Sequence, residues 1–148
     1  SLWIWLAQRR ANPSIPIKFA MGLLLLGAGF LVMEVAANIA VTGTIVSPMF
    51  LALTYFLHTT GELCLSPVGL SAYTKLAPKR FVSQLMGIWF VGASLGNLIA
   101  GLFAGNFDEE NVQQMPALFN QVFLFATIAG VVLIIFAKPI KKWMGGIE

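Results

Sequence analysis

The run from Pro16 to Val41, PIKFAMGLLLLGAGFLVMEVAANIAV, decides the fold class. Its only charged residues are Lys18, near the start of the run, and Glu34, late in it. Since about 20 apolar residues in a helix cross the hydrocarbon core of a bilayer, this run is long enough to span a membrane. Of the 148 residues, 58% are hydrophobic and only 10% are charged, whereas soluble domains contain about 25% charged residues. The sequence therefore predicts a membrane protein.

Three further apolar runs have lengths that suit membrane helices. Lys138-Pro139 is expected to end the last of them, because proline lacks a backbone N–H. No run shows the alternating pattern of a strand. We therefore predict an all-α, multi-pass membrane bundle over residues 1–148, a piece of a longer protein, with the end of a truncated helix at 1–7 and transmembrane helices at about 16–41, 49–73, 82–107 and 116–137.

The basic residues test this topology independently, because lysine and arginine in short loops collect on the cytoplasmic side of a membrane. All nine fall on one side of the predicted bundle, and the other side receives the acidic run 108–110. We therefore expect a cytoplasmic C-terminus, in a multi-pass protein whose expected location is the cell (inner) membrane. The nine are Arg9, Arg10, Lys18, Lys75, Lys79, Arg80, Lys138, Lys141 and Lys142.

Several function classes are excluded by the chemistry that the chain carries. Nine basic residues against six acidic ones are too small an excess to indicate a nucleic-acid partner. Cys64 is the single cysteine, which excludes a disulfide framework or a multi-cysteine metal site. His58 has no second metal ligand in reach beyond Glu62, so we expect no metal and no other cofactor. No nucleophile and base pair stands out, and we therefore expect no catalytic residues and no enzyme.

Glu62 is the residue that a membrane should tolerate least, because a carboxylate at the centre of a membrane helix costs roughly 3 kcal/mol. Its neighbours at helical spacings form one polar stripe on an otherwise apolar helix. Two interpretations stay open: a transport pathway or binding site, or a structural carboxyl that is protonated or bonded to another helix. Glu34 is expected to be structural or interfacial. The stripe comprises Tyr55, His58, Thr59, Glu62, Ser66 and Tyr73.

Pro67 lies inside the second predicted span, where it removes a backbone hydrogen bond and crowds the carbonyl of Leu63. We predict a kink at or just before Pro67. A kink beside a buried carboxylate can act as a gate, although membrane helices also carry proline for structural reasons, and the sequence leaves both open.

The third predicted span combines small residues with an aromatic side chain. Trp89, Ala93 and Asn97 share a face at spacings of four residues, and the indole is read either as a pocket wall or as a lipid-facing plug. Small residues four apart let helix backbones approach closely, which predicts helix packing. These pairs are Gly92 and Gly96, Ala100 and Ala104, and Gly101 and Gly105.

The stretch Gly61-Glu-Leu-Cys-Leu-Ser-Pro-Val-Gly-Leu70, with its continuation Ser71-Ala-Tyr-Thr-Lys-Leu-Ala-Pro78, closely resembles the tenth-helix signature of proton-dependent oligopeptide transporters of the major facilitator superfamily. Arg10-Ala-Asn-Pro-Ser14 and Pro16-Ile-Lys-Phe19 upstream, and Met86-Gly-Ile-Trp89 with Gly92 to Gly96 downstream, resemble the same family in order and spacing. The resemblance covers nearly the whole chain. It implies that residues 1–7 end helix eight and that the four spans are helices nine to twelve.

The resemblance also implies roles for individual residues. In that family the glutamate of the tenth helix binds the peptide's amino group, which transfers to Glu62. Ser66 and Trp89 would line the same pocket, and we expect Glu62 and Trp89 to face a common cavity. Tyr55, His58 and Asn97 are further candidates for the pocket lining.

The function implied for the parent protein is proton-coupled symport of di- and tripeptides by alternating access. Its partners would be the peptide, protons, the lipid bilayer and the N-terminal half of the transporter, whose absence should leave this piece alone inert. One alternative is a membrane packing or oligomerisation module in which Glu62 is structural and a second copy packs on the third span. The other is a facilitator for a different solute, although the negative charge of Glu62 favours a substrate with a cationic group.

Overall fold

The computed structural model describes residues 13–105 and 112–144. This part of the chain contains no strand, which confirms the predicted all-α fold. The predicted helix end at 1–7 and the acidic run 108–110 lie outside the described residues. The helices are α1 (Ile15–Val41), α2 (Met49–Leu76), α3 (Val82–Gly105) and α4 (Met115–Trp143), with short 3-10 turns at Lys79–Phe81 and Val112–Gln114.

Three helical stretches are long and apolar enough to cross a membrane, namely Ile15–Val41, Lys79–Leu102 and Val112–Trp143. They support the prediction of a membrane protein. The second predicted span, α2, is 28 residues long but is not among them. Its polar stripe, centred on Glu62, lowers the apolar character that the other helices keep.

The bundle is organised around α1, which packs along α2 on one side and along α4 on the other. α3 makes few contacts, and these lie near its first turns, where Trp89 meets Phe19 of α1 and Tyr73 of α2. The rest of α3 is exposed on every face of its described side chains. In the described part of the chain, α1, α2 and α4 therefore form a layer of three helices, and α3 is attached to it only near its start.

Two glycines allow the backbones of α1 and α2 to come into direct contact. A Cβ atom added to Gly22 would lie 2.9 Å from the carbonyl oxygen of Gly61, and one added to Gly61 would lie 2.9 Å from the carbonyl oxygen of Gly22. Real Cβ atoms essentially never come closer than 3.0 Å. Gly22 and Gly61 are therefore the crossing point of the two helices, the arrangement that small residues permit between membrane helices.

The packing of α1 on α4 also uses glycines, and it adds a polar contact. A Cβ atom on Gly27 would lie 2.9 Å from the Thr127 hydroxyl of α4. Further along the same interface, the side-chain amide nitrogen of Asn120 donates to both carboxylate oxygens of Glu34 at 2.9 Å. Glu34 is half-buried and bonded to the neighbouring helix, which fits the structural role expected for it.

One apolar cluster identifies the helix ends that lie together. Ile15 at the start of α1 packs with Val68 and Ala72 near the end of α2, and Phe19 and Met144 pack against this group. The start of α1, the end of α2 and the end of α4 therefore share one end of the bundle. That end carries every basic residue of the described ranges, which are Lys18, Lys75, Lys79, Arg80, Lys138, Lys141 and Lys142.

The prediction that Lys138-Pro139 ends the last helix is wrong, because α4 continues through Pro139 to Trp143. A proline inside a helix removes one hydrogen bond but does not end a helix whose next turn is stabilised by packing. Here Met144, directly after that turn, packs against the apolar cluster, and its backbone N–H donates to the carbonyl of Ile140 at 3.0 Å.

The predicted packing surface on α3 finds no partner among the described residues. A Cβ atom added to Gly92, Gly96, Gly101 or Gly105 would meet nothing within 4 Å. The close helix contacts use glycines of α1, α2 and α4 instead, because these helices have neighbours in the described part of the chain. Packing of the α3 glycines stays a prediction for segments outside it.

Candidate functional site

A cavity of about 420 Å³ opens between the start of α1, the end of α2 and the start of α3. Its wall is almost wholly apolar, and the polar side-chain groups in it are the hydroxyl of Tyr73 and the indole N–H of Trp89. Such a wall holds apolar groups without selecting among them. The lining residues are Ile15, Phe19, Gly69, Ala72, Tyr73, Leu76, Ala77, Pro78, Leu85, Trp89 and Met144.

Trp89 is fixed in this wall by aromatic contacts from two helices. Its ring lies edge-on to Tyr73, with 5.5 Å between the ring centroids, and edge-on to Phe19, with 6.5 Å between them. The indole occupies the space above Gly69, where an added Cβ would lie 2.5 Å from its ring. Of the two interpretations of Trp89, this geometry supports the pocket wall, because the half-buried indole contacts protein on several sides.

Glu62 and Ser66 lie on α2 before the cavity begins. Glu62 is exposed and Ser66 is half-buried. Both lie on a side of α2 turned away from the Gly61 crossing with α1, and Tyr73 continues that side into the cavity. Gly69, which Trp89 covers, follows Glu62 by seven residues, an axial rise of about 10 Å.

The expected common cavity of Glu62 and Trp89 is therefore not formed by the described residues. Trp89 lines the cavity with Tyr73, whereas neither Glu62 nor Ser66 belongs to its wall. The two predicted contact residues share a side of the α2–α3 pair but lie about two helical turns apart. A ligand that reached both would extend along α2 rather than sit in one compact pocket.

His58 and Tyr55 occupy different environments. The His58 ring packs on Gly29 and lies 5.0 Å from the Phe30 ring, and its Nε2 lies 3.3 Å from the carbonyl oxygen of Leu26. The structure thus places His58 in the α1–α2 interface and not beside the cavity. Tyr55 is 67% exposed, a full two turns before Glu62.

Asn97 and Pro67 are also separate from the cavity. Asn97 is exposed on the part of α3 that follows Trp89 and does not pack against α2. Pro67 is exposed within α2, which remains one helix from Met49 to Leu76. A gating role of Pro67 stays a prediction.

Sequence reasoning missed two residues that hold the site together. Phe19 belongs to the Pro16-Ile-Lys-Phe19 stretch that resembles the family, but nothing in that stretch indicated a contact with Trp89. Gly69 lies within the tenth-helix signature but was given no role of its own, although its position seven residues after Glu62 marked the same side of α2. No group of three or more His, Cys, Asp or Glu side chains that could hold a metal occurs in residues 13–105 and 112–144.

Comparison with known proteins places the chain in a family. A sequence profile of the POT family matches residues 1–137. The peptide transporter YePEPT of Yersinia enterocolitica is 41% identical over 150 residues, which cover 99% of this chain and 29% of that protein. A di-/tripeptide transporter of Lactococcus lactis subsp. cremoris is 36% identical over 145 residues, 98% of this chain and 29% of that protein. The chain thus spans under a third of the length of these relatives.

Solved structures agree with the sequence comparison. A crystal structure of the peptide transporter POT in complex with sulfate matches with a TM-score of 0.81 and 38% identity, covering 95% of this chain and 28% of that one. A mutant of the peptide transporter POT in complex with alafosfalin matches with a TM-score of 0.81 and 39% identity, over 95% and 28% of the two chains. The helical bundle, the tenth-helix signature around Glu62 and these matches agree: the chain belongs to the POT family.

Proposed function

We propose that the complete protein to which this chain belongs takes up di- and tripeptides together with protons by alternating access. The observation that carries the proposal is Glu62, an exposed carboxylate in the middle of a long helix of a membrane bundle. An ionisable side chain at that depth usually marks a substrate or ion pathway. The named activities of relatives at 36–41% identity supply the substrate class.

The chemistry of Glu62 suits the amino end of a peptide. An ammonium group offers three donors, and a carboxylate accepts through two oxygens, so the pair forms strong charge-assisted hydrogen bonds. Glu34 does not compete for this role, since both of its carboxylate oxygens accept from Asn120. We assign Glu62 to the peptide's amino group and Ser66 to its nearby polar atoms.

Trp89 would act on another part of the same ligand. Its wall of the apolar cavity accepts side chains of many shapes, because only Tyr73 adds a further polar side-chain group. With Glu62 about two turns away, the ammonium and one side chain of a short peptide could be held at separate places along α2. Uptake of chemically varied peptides follows from this division between one charged anchor and an apolar wall.

The remaining half of the site and the proton-coupling groups belong to segments outside this chain. α2 and α3 leave their polar and small-residue faces uncovered, and we propose that the N-terminal half of the transporter faces them across the substrate pathway. The clustering of all described basic residues at one end supports a cytoplasmic location for that end and for the C-terminus. The expected location is the cell (inner) membrane.

The test is Glu62→Gln in the complete transporter, with Glu34→Gln as the matched control. Loss of the charge at Glu62 should weaken dipeptide binding roughly tenfold to a hundredfold, the equivalent of the 1.5 to 3 kcal/mol typical of a charge-assisted bond. Glu34→Gln should leave affinity unchanged. A dipeptide acetylated at its amino end should bind weakly to the wild type and lose little more in Glu62→Gln. Equal losses for the two ligands would refute the assignment.

Uptake of a labelled dipeptide, with and without a pH gradient, tests the transport reaction itself. The packing-module alternative rests on the uncovered glycines of α3, and it predicts normal uptake with altered assembly when Glu62 is changed. A facilitator for another solute predicts that dipeptides fail to compete for uptake. Gradient-driven dipeptide uptake that depends on Glu62 excludes both alternatives.

A further inference from the structure

The C-terminal end of α4 carries a charged and apolar arrangement that the proposed transport function does not use. Lys138 and Lys142 are exposed, and their spacing of four residues places them on one face of the helix. The same face continues toward the middle of α4 through Ile134 and Val131, which are 46% and 45% exposed. An apolar strip thus leads into two cations along one face of a membrane helix.

We propose that this face of α4 is a binding site for an anionic phospholipid. The phosphate of the lipid lies on Lys138 and Lys142, and an acyl chain lies along Ile134 and Val131. Trp143 marks the depth of the interface, because its 85% exposed indole belongs to the side-chain type that favours the headgroup region. The order along this face of α4, apolar strip and then cations, matches the order of acyl chain and phosphate in a phospholipid.

The lysines are held on an ordered helix and not on a loose tail. α4 continues through Pro139 to Trp143, and Met144 packs against the cluster around Ile15 and Val68 at the end of the bundle. This packing fixes the height and direction of the last turn, so the two ammonium groups have a defined position relative to the apolar strip. A defined position distinguishes a lipid site from basic residues that only orient the protein in the membrane.

The surrounding charge favours an anionic headgroup over a zwitterionic one. The loop between α2 and α3 adds Lys75, Lys79 and Arg80 at the same end of the bundle. The two carboxylates of the described residues lie far along their helices. Glu62 precedes Lys75 by 13 residues, a rise of about 20 Å, and Glu34 follows the start of α1 by 19 residues, about 28 Å. Both distances exceed a Debye length of about 8 Å at physiological salt.

Lipid binding to the purified complete protein tests the proposal, with phosphatidylglycerol as the anionic lipid and phosphatidylcholine as the zwitterionic one. The double variant Lys138→Gln with Lys142→Gln should lower phosphatidylglycerol binding roughly tenfold or more. It should change phosphatidylcholine binding much less, because the choline cation of that lipid offsets the charge of its phosphate. The matched control is Lys75→Gln with Lys79→Gln, which removes the same charge from the same end and should retain most of the binding. Replacement of Lys138 and Lys142 by arginine should preserve it.

Two outcomes would overturn the site. Equal loss of phosphatidylglycerol binding in the two lysine pairs would mean that only the net charge of this end matters. Inorganic phosphate that competes as well as the lipid would mean an anion site without an acyl-chain component. Ile134→Asn separates these contributions, since it changes no charge and should weaken the lipid while leaving any phosphate binding intact. Native mass spectrometry of each variant reports bound lipid and folded protein together.

Discussion

The crossing of α1 and α2 at Gly22 and Gly61 should be the position where the bundle is least tolerant of one added methyl group. Gly61→Ala places a Cβ atom 2.9 Å from the Gly22 carbonyl oxygen and 3.3 Å from the Leu25 Cβ. The first contact is with backbone, which cannot rotate away as a long side chain could. The helices must therefore move apart along the interface, or the carbonyl must tilt out of its hydrogen bond.

The expected destabilisation follows from two opposing effects. Alanine is preferred over glycine within a helix by roughly 0.5 to 1 kcal/mol, which favours the variant. Overpacking a close interface typically costs 1 to 3 kcal/mol, and here it also pulls apart the neighbouring contacts of Leu65 with Gly22 and of His58 with Gly29. We expect a net loss of about 1 to 2 kcal/mol for Gly61→Ala, and a similar loss for Gly22→Ala.

Thermal unfolding of the complete protein in detergent, followed by fluorescence, measures the effect against a matched control. Gly87→Ala makes the same chemical change on α3, where an added Cβ meets nothing within 4 Å. The control should be neutral or slightly stabilising, whereas Gly22→Ala and Gly61→Ala should lower the midpoint by several degrees. Midpoints for Gly61→Ala equal to or above that of Gly87→Ala would refute the crossing-point assignment.

Three further variants test other contacts of the bundle. Asn120→Leu removes both hydrogen bonds to Glu34 and should lower stability by about 1 to 3 kcal/mol in thermal unfolding, because it leaves a half-buried carboxylate without these donors. Gly69→Ala should displace the Trp89 indole and, in competition assays, weaken dipeptides with large side chains more than dialanine. Pro139→Ala should raise the unfolding midpoint, since it restores a backbone hydrogen bond within a helix that already continues through this position.

The helices were predictable from the sequence because each one is a long apolar run, and a bilayer leaves few alternatives to a helix for such a run. The expected start of the second helix at residue 49 and of the third at residue 82 coincide with Met49 and Val82 in the structure. The end of α4 was mispredicted because proline is a strong helix breaker in isolation. The tertiary packing of Met144, which outweighs that preference, leaves no pattern in the sequence.

The candidate site was predictable only in part. Glu62 stands out from composition alone, since a charge inside an apolar helix is rare. The location of Trp89 depends on the rotation of α3 about its axis and on a glycine of another helix, and neither is encoded in local spacing. Local spacing also failed to identify the glycines at the helix contact. The six small residues of α3 predicted a packing surface there, whereas Gly22 and Gly61 make the close backbone contact in the structure.

The two faces of α2 explain why the polar stripe divides as it does. The face that carries Gly61 and His58 is covered by α1, so its polar groups are satisfied within the bundle, as in the contact of His58 with the Leu26 carbonyl. The face that carries Glu62 and Ser66 is left open, and α3 covers it only from Gly69 onward. The stripe therefore serves two purposes: His58, at its covered edge, holds α2 against α1, and Glu62 and Ser66 remain available to a ligand. Substitutions of Gly61 or His58 should lower the stability of the bundle more than its affinity for a ligand. Substitutions of Glu62 or Ser66 should lower the affinity for a ligand more than the stability.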